Sequence, residues 1–311
     1  MPLLDRNRVL LILCALGVLL SFGTLGQDGP QVDILPRALT SGRRPSSIRV
    51  GVNMVMVPIT VTDRHDAPIL DLRKDELHLF EGDREQKIES LAIDEAPASI
   101  GIVFDSSGSM VHRIDGSRAA VRQFMQTSSP EDEFFLVQFS DVPQLMVGFT
   151  PHPDDIMGQL QTVRAHGWTS LFDAIYLAAH QIRLSRNSRR ALLVLSDGGD
   201  NESRYTEGEV INMLREADVR VFAIGLFDNA SFLKKAATET GGAVLVVHNI
   251  NDLPSAVDKL NRQLRSQYLL GYYPAAVRND GKFHRVRVLV DRTVGGHKLR
   301  TSWRHGYYAP F

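Results

Sequence analysis

Cysteine is nearly absent from this chain: of 311 residues only Cys14 is one. It lies in an N-terminal apolar run, so the body of the protein can form neither a disulfide nor a cysteine-ligated zinc site. An excess of either charge is also lacking. Lysine and arginine total 35 against 36 for aspartate and glutamate, which removes any bulk electrostatic reason to seek nucleic acid or an anionic membrane surface. No nucleic-acid partner is expected. The histidines are scattered, with no HExxH or other paired spacing, and read as structural. No GxSxG string occurs, which excludes the nucleophile elbow of a serine hydrolase. Neither GxGxxG nor GxxxxGK[ST] follows the first strand of the central region, which argues against a nucleotide-binding Rossmann domain or P-loop. With 43% hydrophobic and 23% charged residues, the composition is that of a globular protein rather than a disordered, collagen-like or polytopic membrane chain.

What is present begins with an export signal. Arg6 and Arg8 supply a positive start, Val9 to Leu20 an uninterrupted apolar stretch, and Thr24-Leu25-Gly26 small residues suited to cleavage. Residues 1–26 are therefore expected to be a signal peptide, and the protein to be exported, periplasmic or extracellular. If the leader is not cleaved, the run through Leu25 would anchor the chain to the membrane, and no membrane insertion is expected beyond it. Leu13 is too bulky for a lipobox around Cys14. The scarcity of cysteine suits an oxidising compartment. Residues 27–47, rich in Pro, Gly, Ser and Arg with no apolar period, read as a linker.

Residues 48–95 read as a β segment. Ile48 to Val61 is a β-branched run, and Glu76 to Phe80 is a strand ending at the turn Glu81-Gly82-Asp83. The pattern changes near Ala98. Continuous apolar runs at Ser99 to Phe104, Phe134 to Phe139, Ala191 to Leu195, Val219 to Leu226 and Ala243 to Val247 lie between segments of helical spacing. Strands without alternation are buried on both faces, and their alternation with helices marks a parallel sheet covered on both sides. Residues 98–266 are thus expected to form a doubly wound α/β domain. After Ser266 the β pattern returns in Tyr268 to Tyr273, Phe283 to Val290 and His297 to Trp303, with turns at Asn279-Asp280-Gly281 and Gly295-Gly296. Neither flanking piece is large enough to be comfortable alone. The segments 48–95 and 268–311 are expected to join into one smaller β domain, with the α/β domain inserted between them.

The first α/β strand ends in Asp105-Ser106-Ser107-Gly108-Ser109. In open α/β sheets ligands bind beyond the carboxyl ends of strands, and this spacing places the oxygens of Asp105, Ser107 and Ser109 there. Thr169 in a helix-opening loop and Asp197 at another strand end offer the same chemistry. Carboxylates and hydroxyls without His or Cys suit a hard divalent cation, Mg²⁺ first, with Mn²⁺ or Ca²⁺ as alternatives. In order, spacing and strand context, Asp105-x-Ser107-x-Ser109, Thr169 and Asp197 resemble the metal-ion-dependent adhesion site of von Willebrand factor type A domains. All five motif positions match. The resemblance implies a Rossmann-like von Willebrand A fold over residues 98–266. It implies Ser107 and Ser109 as direct metal ligands, Thr169 bound directly or through water, and Asp105 and Asp197 holding coordinating waters or binding directly. One coordination position would remain for an acidic residue of a protein partner. Phe80-Glu81-Gly82, Leu270-Gly271-Tyr272-Tyr273-Pro274 and Gly306-Tyr307-Tyr308 also resemble an exported bacterial group of von Willebrand A-related proteins with β extensions on both sides.

The expectation is therefore a non-enzymatic adhesion-type module that presents a divalent cation to an exposed Asp or Glu of a protein ligand. The alternative is a metal-independent scaffold within a cell-envelope assembly. A haloacid-dehalogenase-type phosphotransferase would need a second carboxylate two residues after Asp105, where Ser107 stands. Asp200, Asn201 and Glu202 read as solvated loop residues, and Asp173 as solvent-facing or a local cap. Trp168 fits a binding rim and a packing role equally well.

Overall fold

The computed structural model describes residues 54–226, 230–276 and 279–310. The expected leader and linker lie outside these residues, as do Ile48 to Asn53 of the first expected strand. The described chain opens with β1 (Val55–Thr62), β2 (Leu77–Glu81), β3 (Arg84–Gln86) and β4 (Ile88–Asp94). Then come β5 (Ala98–Asp105), α1 (Ile114–Gln126), β6 (Glu133–Phe139), β7 (Gln144–Thr150), α2 (Pro153–Thr162) and α3 (Leu171–Ile182). The α/β part continues through β8 (Arg189–Ser196), α4 (Glu207–Glu216), β9 (Arg220–Leu226), α5 (Ser231–Thr240), β10 (Ala243–Val247) and α6 (Leu253–Arg265). The described chain ends in β11 (Gln267–Tyr272), β12 (Phe283–Val290), β13 (Thr293–Val294), β14 (His297–Lys298), β15 (Arg300–Trp303) and β16 (Gly306–Tyr308).

The apolar runs without alternation become the middle of a sheet ordered β10-β9-β8-β5-β6-β7. Every residue of β5, β6 and β9 is buried, as burial on both faces requires. Pairing is parallel except between β6 and β7. On one face α1, α2 and α6 pack through residues such as Val121, Phe124, Leu160 and Leu260. On the other, α3, α4 and α5 pack through Ile175, Leu214 and Leu233. The domain is doubly wound, as its sequence pattern indicates. Strand β7 is a difference from that pattern. It is a half-exposed edge interrupted by Gly148, so it shows neither a continuous apolar run nor clean alternation.

The flanking segments pair with each other in two antiparallel sheets, ordered β15-β1-β11-β4 and β16-β12-β2-β3. Val57, Ile59, Leu79, Leu270, Tyr272 and Val288 contribute to their shared core. The stretch His297 to Trp303, expected as one strand, is divided. His297–Lys298 folds back on Thr293–Val294 across Gly295 and Gly296, both at positive φ, whereas Arg300–Trp303 crosses to β1.

These sheets meet the α/β part at the amino-terminal ends of its strands. Arg189, the first residue of β8, donates to the carbonyls of Asp94 at 3.3 Å and Ala96 at 3.0 Å. Arg220 opens β9 and donates to the Gly241 carbonyl and the Thr60 hydroxyl at 2.8 Å each, and to the side chain of Gln267. Burial lowers the pKa of this guanidinium to about 9. The carboxyl ends of the strands lie at the opposite edge of the sheet.

Candidate metal centre

From β5 the chain moves outward to β6 and β7, then returns to β8 on the other side of β5. The connections therefore diverge between the carboxyl ends of β5 and β8, where open α/β sheets bind ligands. Asp105 is the last residue of β5 and Ser196 the last of β8, with Asp197 next in the chain. The fully buried Asp105 carboxylate accepts the Ser107 N–H at 2.8 Å and the Ser196 hydroxyl at 2.6 Å. Ser107 and Ser109 place their hydroxyl oxygens 3.0 Å apart. Ser107 is buried, and Ser109 is open to solvent. Burial pushes the Asp105 carboxyl up to about 6; its hydrogen bonds from Ser107 and Ser196 pull the other way, and the nearby negative charge of Asp197 adds to the rise.

Thr169 is brought to this end by its loop. The His166 N–H bonds the Ser106 carbonyl at 2.9 Å, and the Gly108 N–H bonds the Gly167 carbonyl at 3.0 Å, so the loop lies along the turn that carries the serines. Gly167 has φ +70°, and a Cβ there would stand 2.2 Å from the Asp141 carboxylate, so glycine is required both for conformation and for space. Asp141 accepts the Trp168 N–H at 2.7 Å. Thr169 is buried, with its N–H on the Asn201 side chain at 2.8 Å and its carbonyl receiving the Asn201 N–H at 3.0 Å. Asp197 is half-buried. Arg113, at the amino-terminal cap of α1, reaches it with Nη1 at 3.4 Å from Oδ2 and donates to the Ser109 carbonyl at 3.3 Å.

The family model described as von Willebrand factor type A domain matches residues 99–259, more than half of the chain and nearly all of the span from β5 into α6. The chain belongs to the von Willebrand factor type A domain family. Among curated proteins it is similar to the human inter-alpha-trypsin inhibitor heavy chain H4, 28% identical over 174 residues, covering 50% of this chain and 19% of that protein. The mouse inter alpha-trypsin inhibitor heavy chain 4 is 29% identical over 168 residues, covering 48% of this chain and 18% of the relative. This chain thus spans about a fifth of the length of either relative. Two solved structures share the fold. One is a von Willebrand factor type A protein from Catenulispora acidiphila, with TM-score 0.50 and 12% identity, covering 74% of this chain and 76% of that one. The other is proximal thread matrix protein 1 of the mussel byssus, with TM-score 0.50 and 20% identity, covering 59% of this chain and 50% of that one.

Within this von Willebrand A domain, Asp105, Ser107 and Ser109 are in direct hydrogen-bonded contact, and Asp197 joins them through Arg113. Several supporting residues escape sequence reasoning. Ser196, Asn201, Asp141 and Arg113 act through contacts between segments far apart in the chain, and no spacing signals them. Two expectations are corrected. Asp173 is buried rather than solvent-facing, and accepts the N–H groups of Arg204 at 2.9 Å and Tyr205 at 3.0 Å. Asp200 and Asn201 are not merely solvated: Asp200 accepts the Phe172 N–H at 3.0 Å, while Asn201 holds Thr169. Trp168, next to Thr169 in the chain, is exposed.

Among the described residues no three His, Cys, Asp or Glu side chains gather as a ligand set. The group here has two carboxylates and completes itself with hydroxyls. Such an oxygen-only set fits a hard divalent cation and disfavours a thiophilic one. Asp105, Ser107, Ser109, Thr169 and Asp197 are the residues that would hold it. Among the described residues, no helix is long and apolar enough to cross a membrane.

Proposed function

We propose that this protein is an exported, cation-dependent protein-binding module. Its von Willebrand A domain presents a divalent cation, Mg²⁺ first, to an exposed Asp or Glu of a protein partner. The observation that carries this reading is the oxygen-only group at the switch point, closed below by the buried Asp105 and Ser107 and open above at the solvent-exposed Ser109. Two carboxylates roughly balance a divalent charge, which leaves the ion electrophilic towards an incoming carboxylate. No side chain in the group is placed as a general base, so the chemistry supported is binding rather than turnover. Export rests on the sequence of residues 1–26.

The test is a thermal melt of the purified chain with and without Mg²⁺, Mn²⁺ or Ca²⁺, beside Asp105→Ala. A cation at 100 times its Kd stabilises by about 2.7 kcal/mol, a shift of several degrees at roughly 2–4 °C per kcal/mol. The wild type should rise and the variant should not. A wild type unmoved at millimolar cation would favour the metal-independent scaffold.

A further inference from the structure

Three large apolar side chains stand in solvent around the proposed metal centre. Val111 is 55% exposed, Val142 59% and Trp168 63%. Each belongs to a different loop. Val111 follows the turn Gly108–Met110 after β5, Val142 lies between β6 and β7, and Trp168 lies between α2 and α3. The loops are tied together: the Gly108 N–H bonds the Gly167 carbonyl at 3.0 Å, and the Trp168 N–H bonds Asp141, the neighbour of Val142, at 2.7 Å. Trp168 adjoins Thr169, and Val111 lies two residues beyond Ser109. All three thus sit on linked loops, two of which carry hydroxyls that would hold the ion.

Single exposed apolar side chains are ordinary on protein surfaces. Three on linked loops at one polar centre make a different arrangement, in which an apolar border adjoins a charged anchor. Such a border, once covered, excludes water from the contact at its middle. A carboxylate–cation contact gains from that exclusion because its effective dielectric falls. A partner with polar flanks would lose hydration against Val111, Val142 and the Trp168 ring without finding replacement hydrogen bonds. Charge complementarity therefore fixes the centre of the occupant, and desolvation fixes its borders.

Resting on the metal-centre reading above, we propose that Val111, Val142 and Trp168 form an apolar collar that selects a protein segment whose Asp or Glu carries apolar side chains on both sides. Burying an apolar side chain is favourable in proportion to the apolar area it removes from water. A flank seated only in part on the collar is still enough for a preference of roughly tenfold.

The two tryptophans of the chain, Trp168 and Trp303, make the test direct. A Trp303→Phe background leaves Trp168 as the sole indole reporter. Nonapeptides with a central Asp and either leucine and phenylalanine, serine and glycine, or lysine on its two sides are titrated into this protein in Mg²⁺ and in EDTA. The apolar-flanked peptide should bind roughly tenfold tighter than the serine-flanked one, shift Trp168 emission to the blue, and lose binding in EDTA. Val111→Ser combined with Val142→Ser should largely abolish the flank preference while keeping the cation-induced rise in melting temperature, and Trp168→Ser should do the same by calorimetry. Equal affinity for all flanks, binding of no peptide, a preference that persists in EDTA, or a preference untouched by these substitutions overturns the collar. When the melt still responds to cation, that failure belongs to the collar alone. When the wild-type melt does not respond, the metal centre itself fails and the collar with it.

Discussion

The two ends of the parallel sheet bury their acidic residues in opposite ways. At the amino-terminal end, Asp132 accepts the N–H groups of Ala98 and Ser129 at 2.8 Å each and pairs with Arg265 at 2.6 Å. Beside it Glu133 accepts the Ser99 hydroxyl at 2.5 Å and pairs with Arg186 at 3.3 Å. At the carboxyl end, the donors to Asp105 are a hydroxyl and a peptide N–H, and the nearby guanidinium of Arg113 leans on Asp197 instead. The first end meets its own charge requirement, and the β sheets dock there. The second leaves two carboxylates facing one guanidinium. Asp173, in the first turn of α3, is paired with Arg204 at 3.2 Å. But a buried charge without a partner is costly, so a fold that pairs Asp132 and Glu133 at one end and leaves Asp105 and Asp197 with one guanidinium at the other marks the second end as the place for a charge from outside.

The largest effect should come from breaking the paired end. Arg265→Ala leaves Asp132 buried without its cation and should destabilise the protein by about 3 kcal/mol, read as a lower urea midpoint. The cation-induced rise in melting temperature should survive. At the other end the sign reverses. The Asp105 carboxyl titrates near 6 in the folded protein, above the ordinary value of 3.8. Between those values the folded state holds a proton that the unfolded chain releases, so stability falls as pH rises from about 4 to 6 and remains lower above. Asp105→Asn should remove this slope. At pH 7.5 in EDTA the variant should be more stable than wild type by about 2 kcal/mol, with no further response to Mg²⁺. An Asn variant destabilised as Arg265→Ala is would erase the contrast between the two ends.

Legibility in the sequence follows burial and locality. Strands β5, β6, β8 and β9 announce themselves because burial on both faces demands continuous apolar runs, whereas β3, β4 and β7 are short or half-exposed and leave no clean period. Asp105, Ser107 and Ser109 sit on one turn, so their spacing alone brings their oxygens together. Thr169 and Asp197 can be read from their places at a helix start and a strand end, in the light of the family pattern. Ser196, Asn201 and Asp141 cannot, since Ser196 acts across the pairing of β8 with β5, and Asn201 and Asp141 act across loop-to-loop contacts, all set by tertiary packing. Asp173 misleads for the same reason: its position on a helix suggests solvent, but the chain after β8 folds over it. Arg113 gives no sign in sequence because its guanidinium crosses from the start of α1 to a residue beyond β8.

Arg113 also supplies the smallest and sharpest test of the contrast. Its guanidinium lies 3.4 Å from Asp197, with side-chain exposures of 27% and 17% for the two partners. A divalent ion drawing on Asp197 must share that carboxylate with Arg113 or displace it. The bare interaction of unit charges 4 Å apart near a protein surface is about 4 kcal/mol. A long side chain that can swing into water gives up much less, about 1 kcal/mol. Arg113→Gln should therefore tighten Mg²⁺ or Mn²⁺ binding by roughly fivefold, measured by calorimetric titration, while Arg113→Lys, which keeps the charge, should stay near wild type. Weaker binding in the Gln variant would mean that the guanidinium supports the ion's ligands instead of competing for them. The carboxyl end would then resemble the amino end, with its charge already met from within the chain.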